Sequence, residues 1–142
     1  MLKLLFCLLT LNFCSCFNVT DVKMLNENIL DLMSNANQRN ESVQMIRMIA
    51  LYSGGMCGNR LCMEQRNTEE HVWKIGKDIY DFGKPEFLEF DFDLENKSAK
   101  FNWNEEDKIF FNNIISDANS AWNDFEKIFA KVKHKYLSSQ KS

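Results

Sequence analysis

Proline occurs once in this 142-residue chain, at Pro85, and glycine only five times. With 45% of positions apolar and 13% aromatic, so few chain breakers argue against intrinsic disorder outside the last positions. Histidine occurs only twice: His71 and His134 stand in no HExxH, no catalytic-triad context and no zinc spacing with cysteine. Basic residues are not in excess, at 17 against 20 acidic, which excludes the phosphate-neutralising face of a nucleic-acid binder. A long apolar run is also missing. Spanning a bilayer takes roughly 17 to 25 mostly apolar residues, and the longest stretch, Leu4 to Phe13, is about half that.

What that stretch does have is the layout of an export signal. Lys3 supplies the charge, Leu4 to Phe13 the apolar core broken only by Thr10 and Asn12, and Cys14 and Cys16 the small residues of a cleavage site. Residues 1–16 are therefore expected to be a signal peptide, removed to leave Phe17 as the first residue and no stable membrane insertion. Lys3 is the only charged residue lost, so the remaining 126 residues carry a net charge of −4. That length suits one domain with its own core.

Removing the signal takes Cys7, Cys14 and Cys16 and leaves Cys57 and Cys62. In an oxidising compartment this pair is expected to close a small disulfide loop. One short bridge cannot hold a fold together, so the core must be mainly hydrophobic. Export also makes three sequons usable: Asn18-Val19-Thr20, Asn40-Glu41-Ser42 and Asn96-Lys97-Ser98 mark Asn18, Asn40 and Asn96 as candidate glycosylation sites, each expected at an element boundary or turn.

Apolar positions recur at helical spacing through Val22, Leu25, Ile29, Leu32, Met33 and Ala36, predicting a surface helix over 21–38 with Thr20 as its cap. The segment 42–53 is apolar nearly all round, the pattern of a central helix, and Gly54-Gly55 is expected to end it. Thr68, Glu69 and Glu70 open a third helix that Gly83 and Pro85 stop. Between Phe87 and Trp103 the period drops to two, with Phe90, Phe92 and Leu94 and then Ala99, Phe101 and Trp103 alternating with polar residues. Two short strands turning at Asn96 are expected there. A last helix starts at Asn104, runs to about Leu137 and carries an apolar stripe through Ile109, Phe110, Ile114, Ala118, Ala121, Trp122, Phe125, Ile128, Phe129, Val132 and Tyr136.

The fold class read from these patterns is mainly α: a four-helix, bundle-like domain over 17–137 with a short β-hairpin inserted between helices three and four, then a disordered tail at 138–142. Helical cytokines are also secreted bundles, but the short break at 39–41 makes the first two helices antiparallel neighbours instead.

No residue set specifies a reaction. The acidic ladder Glu89, Asp91, Asp93 and Glu95 fails as a calcium loop, since Asn96 stands where glycine is required. The glycine-rich stretch 54–63 is the most unusual, and a disulfide there would present Met56, Asn59, Arg60 and Leu61 as a candidate binding loop. The expectation is a secreted, non-enzymatic protein-binding or signalling domain with no metal and no cofactor. The alternative is an extracellular carrier of a small apolar ligand held between helices.

Overall fold

The computed structural model describes residues 17–141; the signal peptide expected at 1–16 lies outside the described residues. Five α-helices and one short 3-10 turn make up the chain between them: α1 Val19–Asn35, α2 Arg39–Gln65, α3 Glu70–Phe82, the 3-10 turn Glu86–Glu89, α4 Leu94–Lys100 and α5 Glu105–Gln140. The mainly helical reading holds, whereas the β-hairpin does not. Among the described residues there is no strand.

Where strands were expected, Asp93 accepts a hydrogen bond from the Asn96 backbone N–H and opens α4, so the intended hairpin tip is the first turn of a helix. The alternation also fails at its start, because the neighbours Phe87 and Leu88 are both buried. An extended strand sends neighbours to opposite faces, whereas a tight helical turn can bury both. Phe92, Trp103 and Phe111 then pack ring against ring at 4.9 and 5.4 Å, gathering those aromatics without a ladder.

α2 is the second correction. It does not stop at Gly54-Gly55 but continues for 27 residues through three glycines and both remaining cysteines. None of these three glycines has a positive φ; among the described glycines only Gly83 does, at the end of α3. Gly55 serves close approach: a Cβ there would lie 2.6 Å from the Phe17 ring. Each interior glycine costs a helix about 1 kcal/mol relative to alanine. Burial offsets this cost, since every residue from Tyr52 to Asn59 is inside. The expected central helix is thus central, touching α1, α3 and above all α5.

α1 begins two residues earlier than expected, with Asn18 rather than Thr20 as cap. Asn18 Oδ1 accepts from the Asp21 N–H while Asp21 accepts from the Asn18 N–H, both at 3.0 Å. α5 opens on the same reciprocal box between Asn104 and Asp107. Replacing Asn104 with alanine is expected to lower stability by about 1 kcal/mol, and serine to recover most of it, in urea denaturation. α5 runs about 54 Å and reaches Gln140, so Ser138–Gln140 are helical where a disordered tail was expected. α3 lies antiparallel along it: Trp73 stacks between Tyr136 and Phe129, at 4.8 and 5.0 Å, and Tyr80 stacks on Phe129 at 4.3 Å.

Tyr52 sits at the middle of the core, fully buried, edge-on to Phe87 at 5.1 Å, and its hydroxyl has no partner among the described residues. Burial pushes its ionisation well above the ordinary phenol range. The neutral form is favoured in the folded state, so this contribution to stability is fully present below about pH 10, the unfolded phenol value, and is lost as the pH rises past it. Tyr52→Phe removes an unpaired buried hydroxyl and is expected to be neutral or slightly stabilising at pH 7. It should also flatten the alkaline limb of a thermal-melt pH series.

Candidate functional site

The expected recognition loop is not a loop. Met56, Asn59, Arg60 and Leu61 all belong to α2; Met56 and Asn59 are buried and Arg60 and Leu61 half-buried. Asn59 is taken up internally, its Nδ2 donating to the Phe17 carbonyl at 2.7 Å. Arg60 pairs with Glu64 one turn on, at 3.6 Å.

The predicted Cys57–Cys62 bridge fails for a related reason. Five positions along an α-helix put two side chains about 7.5 Å apart along the axis and roughly 140° apart around it. That separation is incompatible with disulfide geometry. Among the described residues no two cysteines lie at bonding distance.

Asn18, Asn40 and Asn96 are all exposed, at the α1 cap, in the first turn of α2 and in the first turn of α4. His71 is exposed and lies 3.5 Å from Glu69, on the rim as its sequence context implies. Among the described residues no group of three or more histidine, cysteine or acidic side chains is placed to hold a metal ion, and no helix is long and apolar enough to cross a membrane.

Two open clefts lie among the described residues. One, of about 320 Å³ between α1 and α3, is lined by Val19, Lys23, Asp78, Asp81 and Phe82. Lys23 lies over the Phe82 ring there, and Lys77 on α3 donates to Asp81 at 2.6 Å, a bond that raises the lysine's pKa.

The other lies between the first turns of α2 and α5 and is mainly apolar. It encloses about 290 Å³ among Arg39, Ser42, Val43, Ile46, Arg47, Trp103, Asp107 and Phe110. Val43 and Phe110 are 40% and 46% exposed, so the walls of this groove are unburied hydrophobic side chains. Ile109, beside Phe110, is exposed at 59%. Arg39 closes one end. Its guanidinium donates to the Asn102 carbonyl at 2.9 Å and lies 3.9 Å from Asp107, so it is fixed in place by the turn that precedes α5.

This groove arises from a point the apolar stripe left open. Ile109, Phe110 and Phe111 are consecutive, and a helix can turn only one of them fully inward. The expected stripe took Ile109 and Phe110; the structure buries Phe111, at 3% exposure, and leaves both of the others outside. Three adjacent apolar residues at a helix start were the available signal for an exposed patch.

The fold so defined is an all-helical protein with an apolar groove at one end. No family model, curated protein or solved structure gives a significant match to the chain.

Proposed function

We propose that this is a secreted, N-glycosylated, non-enzymatic domain that binds another protein through the α2–α5 groove. The observation that carries this reading is the pair of exposed walls, Val43 and Phe110, over the half-buried floor formed by Ile46 and Trp103. Exposed apolar side chains grouped beside charged ones are the usual composition of a docking surface. At about 290 Å³ and open to solvent, the groove is at the low end of the range for small-molecule sites, which enclose most of their ligand. It admits side chains of a partner rather than a whole apolar molecule.

Secretion is supported by the layout of residues 1–16, and glycosylation by the exposure of all three sequon asparagines. At Asn18 the two roles are compatible, because the oxygen caps α1 while the nitrogen is the atom that carries a glycan. Native mass spectrometry of the product recovered from culture medium tests the whole reading. The expected species starts at Phe17, carries oligosaccharide and shows masses of protein complexes. A stoichiometric apolar small molecule would instead establish a carrier, and an intact Met1 would overturn export.

A further inference from the structure

The groove has an unspent charge at its lip. Three of the four arginines have acidic partners: Arg39 with Asp107 at 3.9 Å, Arg60 with Glu64 at 3.6 Å and Arg66 with Glu69 at 3.9 Å. Arg47 is exposed, lines the groove and has no acidic partner among the described residues. Of the carboxylates nearby on α5, Asp107 is taken up by Arg39, and Glu106 stands one turn before Phe110. A guanidinium beside exposed apolar walls selects a ligand that brings a planar carboxylate next to an apolar side chain.

This chain carries that ligand on its own surface. From Glu86 to Asp107 there are eight acidic residues against two lysines, and Lys97 is committed to the Ser34 and Ala36 carbonyls at 3.2 and 2.6 Å. Within this acidic stretch Phe90 is 37% exposed on extended backbone, between exposed Glu89 and Asp91. Glu89 lies 3.7 Å from Lys84, whereas Asp91 has no basic partner among the described residues.

We propose that the groove is the docking site for a second copy of this chain, whose Phe90 enters between Val43 and Phe110 while its Asp91 pairs with Arg47. The inference rests on the docking reading above and names the partner. Groove and ligand are different patches, so the contact is heterologous and each copy offers both halves. It is small, which places the association at the weak end of specific interfaces, and its charged part is screened by salt.

Sedimentation velocity on the secreted chain, from low micromolar to near-millimolar concentration, reads this directly. The expected result is a reversible shift to dimer or larger that recedes at high salt. Arg47→Glu and Asp91→Arg should each weaken association about tenfold or more. An equimolar mixture of the two variants should recover it, because the exchanged charges then face each other. Phe90→Ala, neutral in charge, should lose association as well, so a misfolded charge variant leaves the test intact. A monomer at every concentration, or association unmoved by the charge exchange, overturns the proposal. If native mass spectrometry still finds a different protein bound, self-association fails while the docking reading stands.

Discussion

Replacing Phe125 with alanine should lower stability by about 3–5 kcal/mol, the largest loss expected from any single truncation in this core. Phe125 has no exposed surface and lies mid-way along α5, its ring 5.8 Å from Trp122 and 6.2 Å from Phe129. Through Phe129 it continues into the stack with Trp73 and Tyr80 that holds α3 to α5. Alanine leaves a cavity that rigid aromatic neighbours cannot close, so the cost exceeds that of the transferred area alone. Urea denaturation followed by circular dichroism measures it. A loss under about 1 kcal/mol would mean that the α3–α5 stack does not anchor the fold. Phe125→Leu, which keeps most of the volume, should recover more than half of the loss.

Asn26→Ala is expected to cost about 1–3 kcal/mol through a single hydrogen bond. Asn26 is buried on α1, and its Oδ1 accepts the backbone N–H of Phe87 at 3.1 Å across sixty-one residues of sequence. Phe87 is itself 1% exposed, so the N–H stripped of its acceptor has no water to turn to. The penalty is that of an orphaned buried donor, larger than the net value of the bond when formed. Native-state hydrogen exchange gives the specific reading: protection of the Phe87 amide should fall while amides in the middle of α2 keep theirs. Uniform loss across the protein would instead assign Asn26 a packing role.

These two residues show what was legible from the chain and what was not. Phe125 fell on the expected stripe of α5, because burial on a helix repeats at 3.6 residues and the signal accumulates over many turns. Asn26 stands among the polar positions opposite the apolar stripe of α1 and gives no local sign of burial, since a polar side chain satisfied by one distant backbone group leaves no pattern. The region 87–103 misled for a different reason. Its period of two came from side chains gathered by different local structures: a 3-10 turn that buries Phe87 and Leu88, an extended link that half-buries Phe92, and the cap after α4, where Phe101 is buried. Gly54, Gly55 and Gly58 were read as a turn, although in α2 they are buried interior positions and Gly55 admits the Phe17 ring. Glycine has both uses, and only tertiary packing decides between them. The predicted loop site and its disulfide fell with that turn.

The groove between α2 and α5 left one trace in the sequence, the run Ile109-Phe110-Phe111, and was otherwise hidden for the converse reason. Val43, Ile46 and Phe110 all belong to apolar patterns that imply burial, and it is the meeting of two helix starts that leaves their outer edges uncovered. Arg47 lies on this side of α2 and is exposed.

Docking of a protein at this groove is the central claim, and site-specific photo-cross-linking of the chain tests it most directly. A photoreactive side chain in place of Val43 should give an adduct of protein mass, whether a second copy or another chain, and Phe110→Glu in the same molecule should suppress it. The same probe in place of Met24, which is 53% exposed on α1, should give none. Equal adducts at both positions, or none at Val43 from a folded protein, would contradict the account.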